Sequence, residues 1–168
     1  RALPDLGRNI KCGNSLIGPD FYEGRQLSLV EDEERLRINA FHWKAEFPEI
    51  FQRVNPAFDA VIGNPPYVRV HKLEAQIKEY FWKHYPTFVK KSDLYCCFAE
   101  RALSLVRSQG RLAFITSSGW LRLDSFEPFR KLLLDHTMIT HIVEFLDDVF
   151  ADANVKTCIF VLEKRESP

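Results

Sequence analysis

Residues 58–67, which read FDAVIGNPPY, decide the fold class of this chain and predict its chemistry. Ala60 to Ile62 is a short apolar run typical of a strand, and it ends at a Gly-Asn-Pro-Pro sequence that cannot continue a central strand. A strand that ends in a rigid polar loop places that loop at the carboxyl edge of an α/β sheet, where such folds bind ligands. We therefore expect the functional site at residues 64–67.

The residue types of this loop suit a flat amine. Pro65 and Pro66 fix φ and remove two amide donors, so the main-chain carbonyl oxygens are held in place as acceptors. Asn64 adds a side-chain carbonyl, and Tyr67 adds a flat ring with a polar tip. Fixed acceptors beside a stacking ring fit an amide or the exocyclic NH2 of a base. The alternative is an ordinary turn, since Asn-Pro and Pro-Pro are common in loops.

Composition places the chain among ordinary globular proteins. Its 168 residues are 46% apolar and 27% charged with zero net charge, which fits one domain with its own core and gives no overall polyanion signal. The histidines are scattered and the cysteines lack metal-ligand spacing, so we expect no metal site and buried, reduced thiols. The cysteines are Cys12, Cys96, Cys97 and Cys158. No membrane-spanning run or signal peptide is present in these residues, so we expect a cytoplasmic protein without membrane contact.

Apolar runs and helical patterns alternate along the chain. This alternation predicts an α/β fold with a three-layer, mostly parallel sheet and a final antiparallel strand pair. Asp93 is expected to be the N-cap of the first long helix. The predicted strands are 9–13, 59–63, 111–117, 138–145 and 155–163, and the predicted helices are 93–107 and 126–134.

Two further segments carry strong charge patterns. Residues 19–50 are acidic and are predicted to be a surface insertion. Residues 69–91 are basic, with aromatic residues interleaved. Such a segment either follows a nucleic-acid backbone or forms an amphipathic helix with its aromatics in the core. We favour the second interpretation for most of these side chains.

Five segments, in order along the chain, match motifs of one enzyme family. Residues 63–67 resemble motif IV of S-adenosylmethionine-dependent N6-adenine DNA methyltransferases, and this is the specific match. The weaker matches are residues 9–16 to motif III, 93–98 to motif V, 110–121 to motif VI and 148–157 to motif VIII. The resemblance covers nearly the whole chain except 19–50, and it is to the large enzymes of type IIG restriction–modification and phage defence. It implies a Rossmann-like methyltransferase sheet.

The resemblance also assigns roles to individual residues. Asn64 and Pro65 would accept the two N6–H bonds of an adenine flipped out of double-stranded DNA, in a loop that Pro66 stiffens. Tyr67 would stack on that base, with Phe150 against its other side. Fixed acceptors polarise the amine without a strong general base, and base flipping is required to reach such a pocket. The residues implied to border the adenine of the cofactor S-adenosylmethionine are Asn14, Ser15, Phe98 and Pro66.

Some motifs of the family are absent from these residues. There is no Gly-rich motif I, no motif II acidic residue and no target-recognition domain. We therefore expect residues 1–168 to be part of a catalytic domain that lacks its first strands, with the missing parts in a longer parent chain. Alone, it is expected to bind the cofactor weakly and to be inactive. Its bare strand edges are expected either to pair with another chain and form oligomers or to leave the N-terminal segment displaced.

Two other function classes remain open at this stage. The Asn-Pro-Pro-Tyr loop also occurs in methyltransferases that act on glutamine side chains of release factors or on guanine N2 of ribosomal RNA. Phe150 and the Asn-Ser-Leu sequence that begins at Asn14 favour adenine. The second alternative is a non-catalytic DNA-binding or assembly module.

Overall fold

The computed structural model describes residues 6–23, 32–147, 149 and 155–166. The chain divides into two compact units, Arg1–Pro56 and Ala57–Pro168. The described helices of the first unit are short. The first ends before Asn39, which has a positive φ of 48°, and Pro48 starts a new helix just after the second. After a 3₁₀ turn at Pro19–Tyr22, these helices are α1 (Asp32–Ile38), α2 (Trp43–Glu46) and α3 (Pro48–Phe51).

A small apolar core holds the first unit together. Its buried side chains are Leu16, Ile17, Phe21, Ile38 and Phe41. The strand predicted at 9–13 is wrong, since the described residues of that segment carry no strand and the chain makes only an isolated bridge from Asn14 to Ala40. The physical reason is that Ile10 is its one large apolar residue and stays 67% exposed, so no face of a strand would be buried. The boundaries of the predicted 19–50 insertion stay a prediction.

The second unit is a four-stranded sheet with helices. Its strands are β1 (Phe58–Gly63), β2 (Val106–Ser117), β3 (Thr137–Glu144) and β4 (Thr157–Lys164). They lie in the order β1-β2-β4-β3; β1 is parallel to β2, whereas β4 is antiparallel to both of its neighbours. The predicted final antiparallel pair is therefore confirmed, and the sheet is mixed because β4 inserts between β2 and β3. The α-helices of this unit are α4 (Ala75–His84), α5 (Tyr95–Leu105) and α6 (Glu127–His136).

Helices α5 and α6 cover one face of this sheet. The alternating residues of β2 and β4 that point to this face pack with both helices into one core, in which Leu133, Phe160 and Leu162 are fully buried. On the opposite face, Ile62 is 86% and Val143 is 50% exposed. The structure thus shows an α/β unit with one covered and one open sheet face. The α/β class is confirmed, whereas the predicted third layer is not seen among the described residues.

The aromatic residues around α4 are mainly structural. Tyr80 and Phe81 are buried on the helix, and Tyr85 and Phe88 are buried just after it, whereas Trp82 stays 58% exposed. This confirms the amphipathic-helix interpretation for most of the segment. No helix among the described residues has the length and apolar character needed to cross a membrane.

Candidate functional site

The loop at 64–67 begins where β1 ends. Gly63 pairs with Phe114 of β2, and a Cβ at this glycine would lie 3.2 Å from the Phe114 ring, so strand and ring are in close contact. Beyond it Asn64 is exposed and Pro65 is buried. The buried proline anchors the loop to the unit, while the side chain of Asn64 is presented to solvent at the carboxyl end of the strand.

Tyr67 is held by the core that α5 and α6 share. Its ring lies 6.3 Å from that of Tyr95 in an edge-on arrangement, and Tyr95 stacks at 5.8 Å on Phe126. Burial raises the pKa of the Tyr67 hydroxyl and of the Tyr95 hydroxyl, so both stay protonated at neutral pH. Phe98 is half-buried against the same core. The structure therefore brings Tyr67 and Phe98 onto one core, and Tyr95 is the supporting residue that sequence reasoning missed.

The chain after Tyr67 pairs with the chain that enters α5. The main-chain N of Leu94 donates to Val68 O at 2.9 Å, and that of Val70 donates to Ser92 O at 3.4 Å. The predicted N-cap role of Asp93 is wrong, since α5 begins at Tyr95 after Leu94 and has no side-chain cap bond. The reason is tertiary: Asp93 pairs with Arg69 in an isolated antiparallel bridge, which holds it outside the helix.

A cavity of about 550 Å³ opens at the carboxyl end of β2, next to this pairing. Its lining includes Arg69, Asp93 and Ser117. Burial raises the pKa of the Asp93 carboxyl, and the charge of Arg69 opposes that shift. The cavity therefore combines charged groups with apolar side chains such as Phe126, and it lies at the carboxyl end of the sheet, as the 64–67 loop does.

Asn14 and Ser15 lie in the first unit, in a tightly built loop. Asn14 Oδ1 accepts a hydrogen bond from the main-chain N of Leu16 at 3.2 Å, and Ser15 O accepts one from Trp43 Nε1 at 3.1 Å. A Cβ at Gly13 would lie 2.3 Å from the Phe41 ring, so only glycine fits there. Sequence reasoning missed the part that Trp43 and Phe41 play in shaping this loop.

Other predicted features have mixed outcomes. Phe150 lies outside the described residues, so its stacking role stays a prediction. Cys96, Cys97 and Cys158 are buried free thiols as predicted, whereas Cys12 is exposed. Among the described residues, no three His, Cys, Asp or Glu side chains are grouped as metal ligands would be.

The sequence matches the model of a known protein family. The model of the Eco57I restriction-modification methylase family matches residues 4–150. The chain belongs to this family. A similar protein is the type II restriction enzyme and methyltransferase RM.Eco57I of Escherichia coli, 28% identical over 166 residues, which are 96% of this chain and 15% of that protein. Another is the adenine-specific methyltransferase BrxX of E. coli O9:H4 (strain HS), 38% identical over 84 residues, or 49% of this chain and 7% of that one.

A solved structure shows the fold. The chain resembles a class I S-adenosylmethionine-dependent methyltransferase from Listeria monocytogenes, whose own assignment is provisional. The TM-score is 0.54 at 18% identity, over 66% of this chain and 32% of that one. The chain thus has a methyltransferase fold and spans a small part of its curated relatives.

Proposed function

We propose that this chain is the target-base part of an adenine-specific DNA methyltransferase of a restriction–modification or defence system. The observation that carries the proposal is the loop at 64–67, in which an exposed Asn64 and a core-supported Tyr67 stand at the carboxyl end of β1. Membership of the Eco57I family supports it. The reaction would transfer a methyl group from S-adenosylmethionine to the N6 amine of adenine.

The loop acts on the amine by holding its two N–H bonds. The N6 lone pair is delocalised into the ring, which makes the amine a poor nucleophile. Asn64 Oδ1 and the main-chain O of Pro65 would each accept one N–H bond, which favours a pyramidal nitrogen with its lone pair exposed. Pro66 stiffens the loop. Tyr67 would stack on the base, with Phe150 on the other side.

Taken by itself, each unit carries residues that suit the adenine of the cofactor. The half-buried ring of Phe98 and the ring of Pro66 offer apolar surfaces. Asn14 uses its Oδ1 internally, which leaves the amide NH2 as a donor, and Ser15 adds a hydroxyl. When bound, S-adenosylmethionine supplies an electrophilic methyl group. The groups that hold its methionine end are proposed to lie elsewhere in a longer protein, because the chain spans 15% of RM.Eco57I.

The partners follow from the same proposal. Double-stranded DNA would deliver the flipped adenine at a cost of a few kcal/mol, which stacking helps to offset. A third layer in a longer parent chain would cover the face that carries the exposed Ile62 and the half-exposed Val143, and its first strands would pair with the β1 edge. Without them, the β1 edge would pair with a second copy. A cytoplasmic location, where such DNA is found, is part of the proposal.

The test is to identify the methylated product. The complete protein is incubated with labelled S-adenosylmethionine and genomic DNA, and the nucleosides are separated by mass spectrometry. We expect N6-methyladenine. Label in guanine or in a glutamine amide would favour the other substrate classes, and absence of cofactor binding by calorimetry would favour a non-catalytic module. Residues 1–168 alone are expected to transfer no methyl group.

A further inference from the structure

Three cations line the cavity at the carboxyl end of β2. They are Arg69, Lys90 and Lys91. Arg69 stands two residues beyond Tyr67, and the lysines lie on the chain that precedes α5. None of the three forms a salt bridge with a carboxylate in the described part of the chain. Two carboxylates, Asp93 and Asp124, also line the cavity, so the cations exceed the anions by one.

The cations are brought together by main-chain pairing. The bonds from Leu94 N to Val68 O and from Val70 N to Ser92 O place the segment after the loop beside the segment after the lysines. Arg69 and Asp93 face each other in this pairing as an isolated antiparallel bridge. Residues that are about twenty positions apart in sequence thus form one basic rim next to the 64–67 loop.

The turn that carries the two lysines is fixed from inside. The buried Ser92 hydroxyl donates to Val89 O at 2.9 Å and accepts from Val89 N at 3.1 Å. Glu100 on α5 accepts hydrogen bonds from the main-chain N and the hydroxyl of the buried Thr87, which anchors the same segment. A turn held this way presents Lys90 and Lys91 at a defined place, unlike lysines on a freely solvated helix face.

We propose that Arg69, Lys90 and Lys91 form a phosphate-binding subsite for the DNA strand that carries the target adenine. The inference rests on the proposed function, because it requires a nucleotide at the adjacent 64–67 loop. A base drawn out of the duplex brings its flanking phosphodiesters to the rim of the pocket, and these carry the negative charge that the three cations match. Asp93 is half-buried and pairs with Arg69 in the main-chain bridge, and with Asp124 it still leaves one positive charge in excess at this rim.

The experiment measures how DNA affinity depends on salt. Binding of the complete protein to a fluorescein-labelled single-stranded oligodeoxynucleotide of mixed sequence is followed by anisotropy at a series of KCl concentrations. Each phosphate contact contributes about 0.7 to the slope of log K against log salt for single strands. We expect Arg69→Gln to reduce the slope by about 0.7 and the pair Lys90→Gln/Lys91→Gln by about 1.4, two contacts at about 0.7 each.

A matched pair of charge removals controls for net charge. Lys83→Gln/Arg165→Gln changes exposed cations that do not line the cavity, and we expect the slope to stay unchanged. Equal slope changes in both double variants, or none in either, would overturn the subsite. A loss seen with an RNA of the same sequence and not with DNA would also overturn it.

The readout separates this inference from the proposed function. Strand binding is measured without methyl transfer, so reduced slopes in a protein that methylates nothing would support the subsite while the proposed function fails. Conversely, N6-methyladenine formation with unchanged slopes in the Arg69 and lysine variants would support the function and overturn the subsite. Thermal unfolding of each variant shows that the fold is retained, since the three side chains are exposed.

Discussion

We expect the substitution Glu100→Ala to loosen the segment between α4 and α5, because one carboxylate holds it. Glu100 Oε2 accepts the main-chain N–H of Thr87 at 3.1 Å and the Thr87 hydroxyl at 2.7 Å. Thr87 is 1% exposed, so water cannot replace the carboxylate unless the segment opens. Truncation therefore removes the carboxylate acceptor of two buried donors.

The expected loss follows from these two bonds. A hydrogen bond to a charged group contributes about 1.5–3 kcal/mol, and two bonds that share one oxygen give less than twice that value. We expect Glu100→Ala to lower the free energy of unfolding by about 2–3 kcal/mol, and Glu100→Gln, whose amide oxygen still accepts, by about 1 kcal/mol. At about 2–4 °C per kcal/mol for a chain of this size, the Tm of the alanine variant falls by about 4–12 °C.

Urea denaturation of the complete protein measures this loss, and amide exchange at Thr87 reports the local opening. In a double-mutant cycle with Thr87→Val, which removes the hydroxyl and keeps the main-chain bond, we expect a coupling of about 1 kcal/mol. Glu79→Ala, an exposed acidic residue on α4, is the control with little change. A loss below about 0.5 kcal/mol for Glu100→Ala, the range of ordinary surface changes, would refute the reasoning.

Three further predictions concern the core, an ion pair and the sheet edge. Leu133→Ala removes a fully buried side chain and should cost about 2–5 kcal/mol in urea denaturation, whereas the 58% exposed Leu134 should tolerate alanine. Hydrogen bonds from Arg122 lower the pKa of Glu144 from 4.5 to about 2. The free energy of unfolding of the wild type should therefore exceed that of Glu144→Gln by its full amount above pH 4.5, and this difference should disappear as the pH falls towards 2. A difference that grows as the pH falls would contradict this. Ile62→Lys places a charge on the exposed edge strand β1 and should reduce self-association of residues 1–168 in sedimentation velocity. A wild-type chain that is monomeric at all concentrations would contradict edge pairing.

Local patterns were sufficient to predict the elements of the second unit. The apolar, β-branched runs around Ile62, Ile115 and Ile159 all lie in strands, because such side chains fit the pleated, half-buried surface of a sheet. Pro128 lies in the first turn of α6, as its missing N–H requires. The order of the strands was beyond these patterns, since a strand sequence does not record which neighbours it will pair with.

The wrong predictions arose where tertiary contacts compete with local preference. Asp93 has the side chain of an N-cap, yet its segment pairs with 68–70 and the helix begins later. The predicted strand at 9–13 had too little apolar surface to bury. At the site, sequence identified Asn64 and Tyr67, but the supporting ring of Tyr95 was visible only after the core had been assembled.

The rate of methyl transfer in an Asn64→Ala variant tests most directly whether the 64–67 loop holds the amine. The complete protein is assayed in single turnover with DNA and labelled S-adenosylmethionine, beside the control Asn55→Ala, which changes an exposed asparagine outside the loop. We predict a loss of about 100–1000-fold in rate for Asn64→Ala, the range found when one preorganised polar group is removed, with DNA affinity and the control unchanged. A variant that transfers methyl groups to adenine at the wild-type rate would contradict the account.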